Sequence, residues 1–174
     1  MIEIVQKSHP SLRSLSKDID LKDVRSARVK QIIKDMKTAL ALQEDGVALA
    51  APQIGVSLRI FIVSGKVFEM EKHDKDMKKA LPDMVFINPK ITRTSKGRMQ
   101  MEEGCLSVRN YYGKTMRAAK VRVRAYDAEG KLFEHGGSGL LAQIFQHEID
   151  HLNGIIFTDK ATDVEYHDPK EQKK

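Results

Sequence analysis

An α+β fold is predicted by three features of the sequence: an amphipathic helical pattern over Asp20 to Glu44, a middle stretch broken into short strands, and a second helical pattern over Leu140 to Leu152. Helices and strands segregated along the chain in this way belong to α+β rather than to alternating parallel architectures. In the first pattern Val24, Val29, Ile32, Ile33, Met36 and Leu40 recur at the spacing of one helical face, and Gly46 stops it. Leu58 to Val63 (LRIFIV) and Met84 to Ile87 (MVFI) are β-branched or aromatic runs bounded by Gly65, Pro82 and Pro89, which read as strands. Between them a stretch rich in Lys, Asp and Met is expected to be a solvated excursion. Ala119 to Tyr126 alternates Val121, Val123 and Ala125 with Lys120, Arg122 and Arg124, the period of a sheet with one wet face. Gly136, Gly137, Ser138 and Gly139 break the pattern before the second helix, with Ser138 as its N-cap and Gly154 as its stop. From about residue 160 the chain reads as a polar tail containing Pro169. With no repeat and no linker, residues 1–174 are expected to form one domain.

Composition narrows the function. The chain has 174 residues with 41% hydrophobic and 31% charged, enough to bury roughly 70% of the surface that the unfolded chain exposes. Its single cysteine, Cys105, cannot form an internal disulfide, which excludes a secreted disulfide scaffold. The formal charge is +6, but the basic residues are scattered among acids. The most biased stretches are Glu69 to Lys79 and Lys170 to Lys174, and these read as solvated surface rather than as nucleic-acid recognition. No apolar run approaches the roughly 20 residues of a membrane span, and the first residues, MIEIVQKSHP, lack the apolar core of an export signal. A protein that is neither exported nor inserted in a membrane is expected.

The second helix carries His147-Glu148-Ile149-Asp150-His151. Residues four apart share a helix face, so both imidazoles can reach one divalent metal with Glu148 beside them. Two histidines satisfied by local hydrogen bonds are the alternative. A catalytic site of this kind needs a third protein ligand and one position left for water. Ten residues after His147 stands Phe157, which cannot serve, and Glu165, His167 and Glu171 lie in the polar tail. Upstream, Cys105 sits in the polar, glycine-bearing stretch Met101-Glu102-Glu103-Gly104-Cys105-Leu106-Ser107, which suits a thiolate ligand better than an inert core thiol. Two imidazoles and a thiolate favour iron(II), zinc, nickel or cobalt over magnesium or calcium. A third stretch, Gly46 to Gly55 (GVALAAPQIG), is either tight loop packing or a backbone that approaches a ligand closely. In the second case Gln53 can donate to an oxygen that gains charge during reaction.

GVALAAPQ, EGCLS and QHEIDHLNG, in this order and at these separations, resemble the three signature motifs of the peptide deformylase family. Weaker similarity runs from His9-Pro10 through FINP (Phe86 to Pro89) and RAAKVRVRAYDAEGK (Arg117 to Lys131) to about Asp159. The resemblance implies a single α+β domain with mixed or antiparallel sheets around the motif-bearing helix. It also implies hydrolysis of the N-formyl group from the formyl-methionine of nascent bacterial or organellar proteins, with release of formate. Cys105, His147 and His151 would bind one divalent metal, iron(II) in the cell with zinc, nickel or cobalt as substitutes. Water would take the fourth position and supply the hydroxide that attacks the formyl carbon. Glu148 would act as general base and then general acid, and Gln53 with the backbone N–H of Leu106 would stabilise the oxyanion. The peptide would pair with the backbone near Val47, Ala48 and Leu49 and near Gly104 to Leu106. Ile144 and Leu140, one and two turns before His147, would wall the methionine pocket, and Glu103 would hold the metal loop. The implied partner is an N-formylmethionyl nascent chain, with at most transient ribosome contact, no membrane and no specific nucleic-acid recognition. The implied location is the bacterial cytoplasm or an organellar matrix.

Three positions depart from the family pattern. Ala48 stands where glycine is usual, Gln143 where an apolar residue is usual, and Val108 to Gly113 replaces a proline-containing continuation. These changes leave the expected ligands and base in place and bear on substrate preference and rate. The tail resembles no long basic C-terminal helix of the kind some members use at the ribosome.

Overall fold

Among residues 2–72 and 81–168, which the computed structural model describes, the first helical pattern is shorter than its sequence spacing suggests. Helix α1 spans Ala27–Ala41. Asp20 instead caps a 3-10 turn at Leu21–Asp23 by accepting from the Lys22 N–H, and the Ser26 hydroxyl caps α1 at the Val29 N–H, 3.3 Å away. A side-chain acceptor satisfies one orphan donor of the first helical turn, so the helix starts where such a residue stands. Val24 is nevertheless buried with the face of α1 that carries Val29, Ile32, Ile33, Met36 and Leu40.

Among the described residues eight strands follow: β1 Ala48–Ala50, β2 Ile60–Val63, β3 Met84–Thr94, β4 Arg98–Cys105, β5 Val108–Ala118, β6 Lys120–Tyr126, β7 Leu132–Ser138 and β8 Thr162–Tyr166. They form two sheets, ordered β1-β2-β3-β6-β7 and β4-β5-β8, and every strand pair is antiparallel. Helix α2 is Gly65–Lys72 and α3 is Gly139–Leu152. The result is the α+β domain expected, with α3 between the two sheets.

The continuous apolar run of β2 is explained by burial on both faces. Ile60 and Ile62 pack toward α1, whereas Phe61 and Val63 pack with Phe86, Val121, Val123 and the apolar side of α3. Phe61 stacks on Phe86 with ring centroids 4.5 Å apart, and Phe145 of α3 meets Phe86 edge-on at 5.3 Å. Each fully buried Leu, Ile or Phe contributes about 1.5–3 kcal/mol relative to exposure, so this seam fixes the position of α3.

The structure corrects the sequence reading in four further places. The excursion after β2 begins with α2, whose Val67 and Phe68 are buried in the core; residues 73–80, with most of the charged run, lie outside the described residues. β3 continues through Pro89, because the β3 to β6 register shifts between Ile87 and Lys90 and Asn88 adopts a positive φ of 50°. Proline is tolerated where a bulge leaves no ladder donor to supply. Gly136, Gly137 and Ser138 belong to β7, paired with Arg122, Val121 and Lys120. The expected tail forms β8 on β5; Pro169 and the run Lys170 to Lys174 lie outside the described residues. Ser138 does occupy the N-cap position of α3, although its hydroxyl makes no capping bond. Gly154 follows the helix at φ +73°, where a Cβ would lie 2.9 Å from the Arg13 carbonyl, so the stop needs glycine.

Candidate active site

Helix α3 turns its apolar side to the core and its polar side to β4 and β5. Gln146 clips it to the end of β5: its side-chain carbonyl accepts from the Ala118 N–H at 2.9 Å and its amide donates to the Ala118 carbonyl at 3.1 Å. His147, the next residue, and His151, a turn beyond it, face Cys105 at the end of β4. The ligating atoms of Cys105, His147 and His151 all lie within 4.8 Å of one another. Among the described residues this is the cluster the third donor completes, so Cys105 rather than the tail residues Glu165 or His167 joins the histidines. The Cys105 Sγ is 3.2 Å from His151 Nε2.

The sulfur is held by its surroundings. The Ser107 N–H lies 3.4 Å and the Gln53 amide nitrogen 3.6 Å from it. Gln53 is itself fixed, since its carbonyl accepts from the Ala50 N–H at 2.8 Å and its amide also donates to the Ser107 hydroxyl at 3.2 Å. The side chain is 2% exposed, and this bonding aims its N–H groups at the site. The turn at Leu106 is tethered from the N-terminus, where the Gln6 amide donates to the Leu106 carbonyl at 3.3 Å.

Glu103 has the most contacts of the acidic groups. Its carboxylate accepts from His147 Nδ1 at 2.5 Å, from Arg117 Nε and Nη2 at 3.0 and 2.6 Å, and from the Thr115 hydroxyl. With Nδ1 bound to a carboxylate, the other ring nitrogen of His147 is left to face the cysteine, an arrangement common for metal-ligating histidines. Burial alone would raise the Glu103 pKa; the bonds and charges of His147 and Arg117 outweigh it and hold the carboxyl well below the usual range. Arg117 extends the chain of charges to Asp150, 2.6 Å away, and Asp150 to Lys160, 2.7 Å away. Burial would lower the Arg117 pKa, but Glu103 and Asp150 together raise it.

Glu148 is as deeply buried as Glu103 but differs from it in bonding. It is 4% exposed, and its Oε2 has no hydrogen-bond partner. Burial, with some repulsion from Glu103 and against the attraction of His147, pushes its pKa up to about 7. A carboxyl poised near neutrality with an unused oxygen can take up and return a proton.

Gln53, Glu103, Cys105, His147 and Glu148 border a cavity of about 290 Å3 that reaches Val47, Ala48, Gly104, Leu106, Leu140 and Ile144. It lies between the outer edge of β1 in one sheet and the outer edge of β4 in the other, so an extended chain laid in it could bond to strand backbone. Leu49 is the exception among the expected peptide contacts: its side chain is buried under α1 and does not line the cavity, which leaves its backbone alone to serve. At Gly104 a Cβ would stand 2.8 Å from the Tyr112 ring, so a larger residue there requires the ring to shift.

All three departures from the family pattern line this cavity. Ala48 and Gln143 are on its wall, and the Gln143 amide donates to the Glu102 carbonyl at 2.7 Å. The register of β4 and β5 jumps between Gly104 and Cys105, so Arg109, Asn110 and Tyr111 bulge to the rim. There Arg109 reaches across to Asp45, 2.8 Å away on the approach to β1. Sequence reasoning missed Arg117, Asp150, Ser107 and Thr115. Asp150 carried a signal as the acid inside the His147 to His151 motif, Ser107 as the last residue of EGCLS and Arg117 as the first of the stretch running to Lys131, whereas Thr115 carried none.

The family model for polypeptide deformylase matches residues 1–167. The chain belongs to the polypeptide deformylase family. A peptide deformylase of Mesorhizobium japonicum is 40% identical over 150 residues, which cover 86% of this chain and 78% of that one. The crystal structure of a peptide deformylase from Legionella pneumophila superposes with a TM-score of 0.77 at 38% identity, over 94% of this chain and 87% of that one. An actinonin-bound class I type b peptide deformylase from Acinetobacter baumannii gives a TM-score of 0.79 at 29% identity, over 93% and 99% of the two chains. Deformylase is therefore the enzyme class of this chain, and no helix among its described residues is long and apolar enough to cross a membrane.

The donor set fits the metal that the family implies. A thiol and two imidazoles converge with an unpartnered carboxylate oxygen beside them. A closed structural site would use a fourth protein ligand where this one has three.

Proposed function

We propose that this deformylase acts on the formyl-methionine at the start of nascent polypeptides and releases formate. The observation that carries the reading is Glu148: a buried carboxyl with a free oxygen, beside three converging metal donors, at the wall of a cavity flanked by two open strand edges. Cys105, His147 and His151 would hold one divalent ion, iron(II) in the cell, with zinc, nickel or cobalt able to replace it. Such an ion, when bound, supplies a Lewis acid that makes water nucleophilic near neutral pH.

The chain's own residues do the rest. As the water oxygen adds to the formyl carbon, Glu148 takes the released proton on its carboxylate. The Gln53 amide and the Leu106 N–H stabilise the negative charge that develops on the formyl oxygen. The carbon–nitrogen bond then breaks, and Glu148 returns its proton to the departing amine. Glu103 keeps His147 in one orientation. The backbone at Val47 to Leu49 and Gly104 to Leu106 holds the peptide extended, which makes downstream sequence matter little, and Leu140 and Ile144 wall the methionine side chain. The bacterial relative and the absence of a spanning helix among the described residues support a cytoplasmic site of action, next to protein synthesis.

The test is formate release from a formyl-Met-Ala peptide by iron- or nickel-loaded protein, against acetyl-Met-Ala and an unblocked peptide. Fast release from the formyl substrate alone is expected. Cleavage of internal peptide bonds, or no release by fully loaded protein, would overturn the reading.

A further inference from the structure

A second concavity, larger than the first, lies where β3 ends, β6 begins and β7 ends. Its volume is about 1090 Å3, and Arg93, Lys96, Lys120 and Arg122 stand around it with the hydroxyls of Thr94 and Ser138. Leu140, in the first turn of α3, borders both this concavity and the one at Glu148.

Strand register makes the charge here unlike that of ordinary solvated surface. Arg93 is the direct partner of Arg122 across the antiparallel β3 to β6 pair, and Lys90 is the direct partner of Arg124. Like charges directly opposite one another weaken a sheet. All four side chains are exposed. One carboxylate answers them, Glu134 of β7, which is 2.9 Å from Arg124 and 3.6 Å from Arg122. Among the described residues Arg93, Lys96 and Lys120 have no ion pair. The repulsion lowers the stability of the isolated fold, and a bound polyanion relieves it.

We propose that this cleft docks RNA through its phosphate backbone. The planar guanidinium groups of Arg93 and Arg122 match phosphate in two-pronged geometry, with Lys96 and Lys120 as point charges and Thr94 and Ser138 as further donors. A concave cleft whose lining offers Leu140 as its one exposed large apolar side chain suits a threaded strand rather than a bilayer. The choice of RNA over an acidic polypeptide rests on the proposed nascent-chain substrate, because RNA is the polyanion that surrounds a chain during its synthesis. Contacts to phosphate position a protein without reading sequence, in keeping with the expectation of no specific nucleic-acid recognition. A strand docked here lies beside Leu140, at the border of the cavity that takes the peptide.

Binding of a fluorescein-labelled oligouridylate to the metal-loaded full chain, followed by anisotropy from roughly 50 to 200 mM salt, tests the site. Four phosphate contacts correspond to a slope of log affinity against log salt of about −3. The triple variant Arg93→Gln, Lys96→Gln, Lys120→Gln is expected to lose on the order of tenfold or more in affinity at low salt, with its slope falling to about −1. Its formate release from formyl-Met-Ala is expected to match the wild type, which also shows that it folds. A control triple on α1, Arg28→Gln, Lys30→Gln, Lys34→Gln, removes the same charge and is expected to keep the wild-type slope. Equal binding by the wild type and the cleft variant, equal losses in both triples, or tighter binding of polyglutamate or phosphatidylserine vesicles than of RNA would each overturn the proposal. Formate release by the wild type in the same samples reads the substrate separately. RNA binding that fails while formate release persists condemns the cleft alone; RNA binding without formate release supports the cleft and condemns the nascent-chain reading.

Discussion

Charge is handled in opposite ways at the two concavities that meet at Leu140. Beside the cysteine and histidines, Glu103, Arg117 and Asp150 are buried, and each is answered by an opposite charge within 2.7 Å. On the β3 to β6 face, Arg93 and Arg122 are exposed and stand opposite each other, Arg122 with Glu134 3.6 Å away and Arg93 with no ion pair among the described residues. A buried charge without a partner costs several kcal/mol, so the interior must close its own ledger. Water screens an exposed one, and a surface can leave its charges for a partner to meet. The difference shows which charges serve a site inside the molecule and which face outward.

The largest effect is expected where a ligand is lost. Cys105→Ala should leave the purified protein without its equivalent of metal, measured by elemental analysis; undiminished metal would place the third ligand elsewhere. Next, Arg117→Met strands Glu103 and Asp150 without their shared cation, and should cost about 3–5 kcal/mol of stability in urea unfolding. A loss below 1 kcal/mol would mean that Thr115, His147 and Lys160 suffice. Gln53→Ala removes the amide proposed to stabilise the formyl oxygen and should lower turnover by about 10²–10³-fold with metal content retained. On the outer face the sign reverses: Arg93→Gln relieves an opposed pair and should raise stability by about 0.2–1 kcal/mol, read as a higher melting temperature at low salt. A fall in melting temperature would show that the pair is not repulsive.

The site was legible in the sequence where its residues are contiguous. His147, Glu148 and His151 are held together by helical periodicity, and Gln53 and Cys105 stand within short motifs of small residues. Glu103 was legible through its neighbour Cys105. The role of Arg117 was not, because what matters is its reach from the end of β5 to Glu103, 14 positions away, and to Asp150, 33 positions away. Strands built from apolar runs, such as β2, could be read directly. β4 and β5 could not, since a hairpin exposed along much of its length carries Arg98, Glu102, Lys114 and their like on its wet face. β8 read as a tail for the same reason: all five of its residues are exposed, and pairing with β5 holds it. The like-charge register of β3 and β6 depends on two irregularities, between Ile87 and Lys90 and between Ile91 and Arg93, and the sequence alone ended the strand before either.

The most direct test of the account is formate release by the wild type and by Glu148→Ala at matched metal content. The account predicts rapid release by the wild type and a loss of about 10²–10⁴-fold in the variant, with the metal still bound. A fully metallated Glu148→Ala protein that turns over at the wild-type rate would contradict it, because the buried carboxyl would then have no part in moving the proton.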